Sequence, residues 1–181
     1  DRFKQVYSFA MGSQDLYDYI NDNPGLASYN VDYTNNPVVI AQIDNFVSIN
    51  ACVEVDLFGQ VCAESVGYRH LSGTGGQLDF VEGAYKSKGG QSFVCMPSTI
   101  TKKDGTLASK VQATLTPGAI VTDPRTATHM LVTEYGIAYM KGRSTWQRAA
   151  ALIEIAHPDF RDELIAEAQK MNIWRKSNKI Y

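Results

Sequence analysis

The sequence predicts an α/β domain, and three observations lead to that fold class. Apolar and polar residues alternate over residues 47–55, which is the period of a half-buried strand. Apolar residues recur at helical spacing over residues 77–86 and again over 144–156. The chain has 181 residues and is 44% hydrophobic, which is enough to enclose one core. Strands interspersed with helices in a chain of this length predict one domain, residues 1–181.

The start of the chain predicts short elements separated by turns. Apolar alternation over residues 1–9 predicts a short strand. Ser13 is a favoured helix-capping residue and precedes an apolar helical face over residues 14–21, which an Asn-Pro-Gly sequence ends. Residues 28–37 are rich in Asn, Tyr and Asp and predict a structured loop. The apolar residues 38–43 predict another short strand.

The alternating strand at 47–55 is expected to have two different faces. We expect its apolar residues to face a core and its polar residues to face the opposite surface. Asn50 and Glu54 then lie on the same polar side. A Phe-Gly pair predicts a turn, after which the chain returns along residues 60–66.

The remaining elements follow from the same two periodicities and from capping signals. Ser144 and Gln147 have capping-box spacing and begin a helix that extends to about residue 156. Pro158 begins a last helix, to about residue 171, with acidic residues near its positive end. The other predicted elements are a helix at 77–86 that ends at 87–90, a strand at 91–96, a surface turn at 102–105, strands at 110–115 and 119–122, a short helix at 123–128, and strands at 130–133 and 137–140.

Composition excludes several classes of function. The chain has 17 basic and 19 acidic residues, and neither sign forms a long run, which argues against a nucleic-acid surface as the main function. No apolar run approaches the length of a membrane span, and the N-terminus lacks the pattern of a signal peptide. We therefore expect a soluble, cytoplasmic protein without a membrane partner.

The cysteines and histidines do not predict a metal site or a disulfide framework. The three cysteines are odd in number and show no CxxC spacing. Cys52 and Cys62 could meet across the predicted hairpin, although we expect buried free thiols. The three histidines lie far apart and form no HxxxH or HExxH sequence, so no metal is expected.

A glycine-rich turn is the most distinctive local feature of the chain. Ser72-Gly73-Thr74-Gly75-Gly76 stands directly before the predicted helix at 77–86. Glycine lacks the Cβ that would block close approach, so the backbone N–H groups at the helix start can face a developing negative charge. A glycine cluster between a strand and a helix can also be a simple tight connection.

Three motifs occur in the order in which they are found in one enzyme family. They are INxxxEVDLxGQVxAES at 49–65, GxGG at 73–76 and TEYG at 133–136. On these motifs, residues from about 10 to about 160 resemble the C-terminal half of the acetyl-CoA hydrolase / 4-hydroxybutyrate CoA-transferase family. The resemblance implies an open α/β/α layered domain with a mixed sheet, of the CoA-transferase type.

The resemblance also implies a reaction. Family members move CoA between an acyl group and a free carboxylate: an enzyme glutamate attacks the acyl-CoA thioester, a mixed anhydride and then a glutamyl-CoA thioester form, and a second carboxylate takes the CoA. That glutamate belongs to a TEM-type segment upstream of the region that this chain matches, and the chain has no such segment. The implied role is a C-terminal domain that folds alone, transfers no CoA alone, and depends on an N-terminal half of the same enzyme.

Three residues are implied to form the catalytic part of the site. By resemblance, Gly75 supplies a backbone oxyanion donor, Asn50 supplies an amide donor beside the bound carboxylate or thioester, and Glu134 lies at the edge of the active site. Without the family, Asn50 is typical of an exposed strand amide and Glu134 of a surface or salt-bridged carboxylate. Glu134 interrupts an apolar segment, where a carboxylate needs a partner or a function.

The residues implied to bind the acyl-CoA are Gly73, Gly75, Gly76, Lys88 and Gly89. One lysine and two flexible amides suit a phosphate of CoA, although a solvated helix terminus fits residues 87–90 equally well. The other acidic residues of the long motif are interpreted as structural polar groups: Glu54, Asp56 and Glu64.

The resemblance implies acyl-CoA and a short-chain carboxylate as ligands, with 4-hydroxybutyrate, butyrate and acetate as the carboxylates considered. CoA is a substrate here, no permanently bound cofactor is expected, and the full-length enzyme is expected to be a homo-oligomer. Three alternatives stay open: an acetyl-CoA hydrolase, a non-catalytic α/β module that binds phosphate or CoA, and a sugar-phosphate isomerase of the same fold class.

Overall fold

The structure is a computed structural model that describes residues 2–174. Asp1 and residues 175–181, which the predicted domain includes, lie outside the described residues. The helices are α1 (Gln14–Ile20), α2 (Val31–Thr34), α3 (Pro37–Ala41), α4 (Gln77–Lys86), α5 (Thr145–Glu154) and α6 (Pro158–Lys170). The strands are β1 (Gln5–Tyr7), β2 (Leu26–Ser28), β3 (Val47–Ala51), β4 (Glu54–Asp56), β5 (Val61–Cys62), β6 (Ser65–Val66), β7 (Arg69–His70), β8 (Gln91–Cys95), β9 (Thr99–Thr101), β10 (Leu107–Ser109), β11 (Val111–Gln112), β12 (Met130–Thr133) and β13 (Gly136–Tyr139).

A mixed four-stranded sheet organises the domain. Its strand order is β13-β12-β8-β3, in which β3, β8 and β12 are parallel and β13 is antiparallel to β12. The register sets Ala51, Cys95 and Val132 side by side, so the three parallel strands end at one edge. The prediction of an α/β fold with a mixed sheet is confirmed.

The core is a single cluster that joins the sheet, the β4–β5 hairpin and the helices. Val55, Val81, Val94, Leu131 and Leu152 are fully or almost fully buried members of it. Burying each such side chain contributes roughly 1.5–3 kcal/mol, before the loss of conformational entropy is subtracted. Helix α4 and strands β8 and β12 therefore each contribute side chains to this core.

Two small pairings lie beside this sheet. β1 and β2 are parallel to each other and form a separate pair, in register from Gln5 with Leu26 to Tyr7 with Ser28. β4, which follows β3 along the chain, pairs with β5 and with β11 and so belongs to a second sheet. The predicted single strand at 47–55 is therefore two strands in two sheets.

The structure reverses the predicted faces of β3. Val47 and Ile49 are 51% and 72% exposed, whereas Ser48 is only 3% exposed. The polar face of the strand turns towards α4, because Asn50 lines a cavity together with Gly76, Gln77 and Phe80. Alternation shows which residues share a face, but it does not show which face the rest of the chain covers.

Several local predictions are wrong for identifiable reasons. Residues 38–43 form most of helix α3 instead of a strand, because Asn36 caps the helix with its side chain and Pro37 takes the first helical position. The predicted loop at 28–37 contains the short helix α2. The predicted strand at 119–122 and helix at 123–128 are turns and irregular chain, and only Val111–Gln112 of the predicted strand 110–115 is paired.

Helices with clear end signals match their predictions closely. α4 has the predicted bounds, and α5 has the predicted capping box between Ser144 and Gln147. α6 begins at Pro158 as predicted. The predicted turn at 102–105 is present, with the Gly105 N–H donating to the Lys102 carbonyl at 3.0 Å, and it joins the β9–β10 hairpin.

Candidate active site

The topology brings the glycine turn and Asn50 to one edge of the sheet. Asn50 is the next-to-last residue of β3, so it lies at the carboxyl edge of the parallel strands. Gly76 and Gln77, at the start of α4, line the same cavity as Asn50. The carboxyl edge of parallel strands is where open α/β sheets bind ligands.

The glycine turn presents open backbone at this edge. Gly75 has φ of +58°, which favours glycine, and no atom lies within 4 Å of the position that a Cβ would take there. Gly76 has the opposite surroundings, since a Cβ there would be 2.0 Å from Asn35 Nδ2. Gly75 is thus open towards solvent while Gly76 is packed against the α2–α3 connection.

Helix α4 begins directly after this open turn. α4 is ten residues long, and within residues 2–174 no side-chain hydrogen bond caps its first turn. Those N–H groups have no partner inside the helix, and the helix dipole adds partial positive charge at the same end. The start of α4 can therefore stabilise an oxyanion or another small negative charge.

Two adjoining cavities surround the turn. One has a volume of about 610 Å³ and is lined by Gly75, Gly76 and Asn35, among others. The other has a volume of about 310 Å³ and is lined by Asn50, Gly76 and Gln77. Phe9, Asn35 and Gly76 line both cavities. The larger cavity also contains Asp32 and Asp79 and no basic side chain of the described chain, so it suits an uncharged group better than a phosphate.

The side chain of Asn50 is half-buried and held in place. Its Nδ2 donates to Ser48 Oγ at 2.8 Å, and Ser48 is itself buried in the same face of β3. This bond orients the amide beside the start of α4. Asn50 and the glycine turn are therefore the predicted residues that the structure brings together most directly.

Glu134 lies farther along the same edge of the sheet. It follows β12 directly and sits in the turn to β13, where its side chain is exposed, contrary to the expectation of an apolar surrounding. Ser98 donates both its N–H and its hydroxyl to the carboxylate, at 2.8 Å and 2.6 Å. These bonds, the hydroxyl above all, lower the pKa of Glu134, so the carboxylate is ionised at neutral pH. Glu134 is absent from the lining of both cavities.

Lys88 and Gly89 lie at the opposite end of α4. The N–H of Asn45, which precedes β3, donates to the Lys88 carbonyl at 2.8 Å, so this turn belongs to the amino edge of the sheet. The ten residues of α4 separate it from Gly75 by about 15 Å. Lys88 is highly exposed and its Nζ is 4.0 Å from Asp44 Oδ2. The structure therefore does not join Lys88 and Gly89 to the glycine turn.

Two of the three acidic residues in the long motif, Glu54 and Asp56, have structural partners, as predicted. Glu54 accepts hydrogen bonds from the N–H and hydroxyl of Thr116 at 2.8 Å and 2.7 Å. Asp56 accepts from Phe58 and Gln60 and so closes the β4–β5 turn. Burial raises the pKa of Asp56, although these hydrogen bonds oppose the rise. The predicted free thiols are also confirmed, since the three cysteines are unbridged.

The structure adds residues that the sequence did not indicate. Ser98 follows the end of β8, and the meeting of parallel strand ends could have suggested its contact with Glu134. Phe9 and Asn35 come from segments interpreted only as a strand and a loop. Gln77 and Asp123 are joined by a hydrogen bond at 2.8 Å across 46 residues of sequence, and no local signal predicts that contact.

The chain matches one family model and several characterised relatives. Residues 12–168 match the acetyl-CoA hydrolase/transferase C-terminal domain. The chain is 79% identical over 180 residues to a probable butyrate:acetyl-CoA coenzyme A-transferase of Syntrophomonas wolfei, covering 99% of this chain and 40% of that protein. It is 59% identical over 179 residues to the butyryl-CoA:acetate CoA-transferase of Anaerostipes caccae, covering 99% of this chain and 40% of that protein.

Solved structures give the same assignment. RipA from Yersinia pestis is 48% identical, with a TM-score of 0.85 over 94% of this chain and 38% of that one. The 4-hydroxybutyrate CoA-transferase from Porphyromonas gingivalis is 43% identical, with a TM-score of 0.73 over 93% of this chain and 38% of that one. The chain thus spans about two fifths of the length of these relatives. Among residues 2–174, no helix has the length and apolar composition needed to cross a membrane.

Proposed function

Because this chain belongs to the acetyl-CoA hydrolase/transferase C-terminal domain family, we propose that it forms one wall of the active site of a CoA-transferase. The proposed reaction moves CoA between an acyl-CoA and a short-chain carboxylate, with butyrate, acetate and 4-hydroxybutyrate as the candidate acids. The observation that carries this proposal is the open start of α4 beside Asn50, because acyl transfer needs donors where the carbonyl oxygen becomes negative.

In the proposed mechanism, the glycine turn acts on the thioester carbonyl. When a carboxylate attacks the carbonyl carbon, the oxygen takes up negative charge, and collapse of this intermediate breaks the C–S bond, which leaves a mixed anhydride and releases CoA as thiolate. The thiolate then attacks the enzyme carbonyl of the anhydride, which forms the enzyme thioester and releases the acyl group as a free carboxylate. N–H groups at Gly75 and at the start of α4 stabilise the negative oxygen, a contribution worth about 2.7–4 kcal/mol per donor in other enzymes. Asn50 supplies a further amide donor, and Glu134 forms the charged edge of the site.

We place the attacking carboxylate in another part of a longer enzyme. The relatives are about two and a half times as long as this chain, and the chain lacks the TEM-type segment of the family. Among residues 2–174, β3 pairs with β8 alone, which leaves one edge of this strand for a segment of the longer enzyme. A cavity lined by Val6, Tyr7 and Asn50 lies beside this strand.

The remaining parts of the proposal concern the acyl-CoA contacts, the cellular location and the oligomeric state. Gly73, Gly75 and Gly76 are proposed to contact the acyl end of acyl-CoA, whereas Lys88 and Gly89 are proposed as a separate phosphate contact at the far end of α4. We propose a cytoplasmic homo-oligomer as the full-length form. Hydrolysis in place of transfer is the second candidate function, because the larger cavity is open to water.

The test of this proposal is the intact mass of the protein after incubation with acetyl-CoA, with and without the upstream half of the enzyme. The proposal expects no covalent CoA adduct on this chain alone. It expects an adduct on the upstream half, and transfer of CoA to butyrate, once the two are joined. A CoA adduct on this chain alone would place the nucleophile here, with Glu134 the first candidate. Release of acetate without CoA transfer to any carboxylate would favour the hydrolase.

A further inference from the structure

Hydrogen bonds connect the glycine turn to the rest of the domain on both sides. Before the turn, the N–H groups of Leu71 and Ser72 donate to the Glu64 carbonyl at 2.7 Å and 3.2 Å. After the turn, Gln77 Nε2 donates to Asp123 Oδ2 at 2.8 Å. Between these two sets of hydrogen bonds, residues 73–75 are exposed, and the space beside Gly73 and Gly75 is open. The direction of the N–H groups in the turn therefore depends on the hydrogen bonds at its two ends.

The hydrogen bond after the turn joins Gln77 to Asp123, which is buried. Asp123 is 0% exposed, and it exchanges two backbone hydrogen bonds with Val61 of β5, at 3.0 Å and 3.2 Å. Val61 is also fully buried. Gln77 is the first residue of α4, so its bond to Asp123 links the start of the helix to a buried residue that is itself bonded to β5.

The buried carboxyl group of Asp123 is expected to destabilise the folded protein. Its Oδ1 is buried and has no hydrogen-bond partner among the described residues. Burial raises the pKa of Asp123, and the neighbouring Glu64 carboxylate raises it further. An unpaired buried polar group destabilises the folded state. Among residues 2–174, the side-chain partner of Asp123 is Gln77, and Gln77 lines the cavity beside Asn50.

We propose that Asp123 and Gln77 are positioning residues that hold the oxyanion donors of the glycine turn in their catalytic orientation. The inference rests on the proposed function. Asp123 lines neither cavity, so it acts on the reaction only through Gln77. The bond sets the position of the first residue of α4, and through it the directions of the N–H groups at Gly75 and Gly76.

The test is a double-mutant cycle in the full-length enzyme, with acetyl-CoA and butyrate as substrates. Gln77→Met and Asp123→Ala each remove the same bond, and each is expected to lower kcat by ~10-fold to ~100-fold. KM for acetyl-CoA should change by less than about threefold, because the bond positions donors that act in the transition state. The double variant should be no slower than the slower single variant, since both changes remove one interaction.

Two further variants separate positioning from stability. Asp123→Asn keeps an oxygen that accepts from Gln77, so its kcat should stay within about threefold of the wild-type value. Gln60→Met is the matched control, because Gln60 Nε2 donates to the buried Asp56 in the same way at 2.6 Å but in the β4–β5 turn. It should lower the melting temperature without lowering kcat.

The outcomes are distinct. A folded Gln77→Met enzyme with the wild-type kcat, an additive cycle, or an equal loss of kcat in Gln60→Met would each overturn the inference while the proposed function stands. Gln77 is only half-buried, so Gln77→Met keeps the test decisive even where Asp123→Ala does not fold. A wild-type full-length enzyme that transfers no CoA would overturn the proposed function, and this inference with it.

Discussion

Ser98 holds the Glu134 carboxylate with two hydrogen bonds, one from its N–H to Oε2 at 2.8 Å and one from its hydroxyl to Oε1 at 2.6 Å. Ser98 is completely buried in the connection between β8 and β9, whereas Glu134 is exposed in the β12–β13 turn. A buried residue thus fixes a surface charge at the carboxyl edge of the sheet. The two hydrogen bonds hold the Glu134 carboxylate in one orientation.

Replacing Ser98 by alanine should raise the pKa of Glu134 towards its ordinary value. The hydroxyl is the largest cause of the lowered pKa, and the N–H bond of residue 98 stays in the variant, so the rise should be partial. A carboxyl group with a lowered pKa adds stability above its ordinary pKa, and that stability is lost as the pH falls through the folded-state value. Carboxyl chemical shifts followed by NMR titration measure the change.

Asp104 is the internal control for this titration. Thr106 lowers the pKa of Asp104 through its own hydroxyl and N–H, and Ser98 takes no part in that contact. The Asp104 titration should therefore be the same in both proteins. An unchanged Glu134 titration in a folded Ser98→Ala protein would show that the hydroxyl bond does not hold the carboxylate in solution.

Replacing Gly75 by valine should lower kcat/KM of the full-length enzyme by ~100-fold or more, which is the effect of losing an oxyanion donor in other enzymes. A Cβ at Gly75 meets no protein atom within 4 Å, so the side chain projects into the space proposed for the acyl group. Steady-state CoA transfer from acetyl-CoA to butyrate measures the loss.

Gly105→Val is a matched control for this change. Gly105 also has a positive φ, of +85°, and no neighbour within 4 Å, but it lies in the β9–β10 turn. Both valines meet backbone strain of about 1–2 kcal/mol, so both proteins should melt at lower temperature. Only the Gly75 variant should lose activity, and equal losses in both would assign the effect to stability.

The three thiols should differ in reactivity in the native protein. Burial raises the pKa of Cys52 to about 12, so almost no thiolate forms there at about pH 8. Cys62 is buried and donates to the Ser65 carbonyl. Cys95 is only half-buried, although burial raises its pKa as well. A disulfide reagent should label Cys95 first, and Cys52 and Cys62 only after unfolding.

Peptide mapping by mass spectrometry identifies the labelled cysteine. Cys95→Ser should remove the native-state label almost entirely. Labelling of Cys52 in the native protein at the rate of Cys95 would contradict the burial of Cys52 in the core.

Asp123 should make the protein less stable as the pH rises. Its pKa is raised in the folded state, so the folded protein binds more protons than the unfolded chain above the ordinary aspartate pKa of about 3.9. The free energy of unfolding therefore falls from about pH 4 up to the raised pKa. Asp123→Asn should remove this part of the pH dependence, as measured by urea unfolding at a series of pH values.

The opposite sign is expected from an acid with a lowered pKa. Asp104→Asn should therefore lose stability relative to the wild-type protein as the pH rises through the ordinary aspartate pKa, by a small amount because Asp104 is exposed. A wild-type protein and an Asp123→Asn variant with parallel pH curves would show that burial does not raise the pKa of Asp123.

The sequence predicted best where one residue type has one structural meaning. Gly76 before Gln77, Ser144 before its capping partner, and Pro158 at a first helical position fixed the helix starts. Residues 38–43 failed because a short apolar run fits a strand or a buried helix equally well, and the deciding cap, Asn36, lies before it.

The site was predicted in its parts and only partly in its geometry. Asn50 and Gly75 were chosen by resemblance, and the strand topology places them at one edge. Lys88 was chosen for its charge, but the direction of α4 carries it to the other edge. The bond between Gln77 and Asp123 depends on how distant segments pack, and no periodicity in the sequence contains that information.

The exposed apolar face of β3 also affects how this chain behaves outside a larger enzyme. Among residues 2–174, β3 pairs with β8 alone, and an edge strand with exposed Val47 and Ile49 is a template for pairing with another copy of itself. Preparations of this chain alone should therefore tend towards self-association and aggregation at high concentration. A copy of the chain in which this face stays uncovered should also be a substrate for chaperones and proteases.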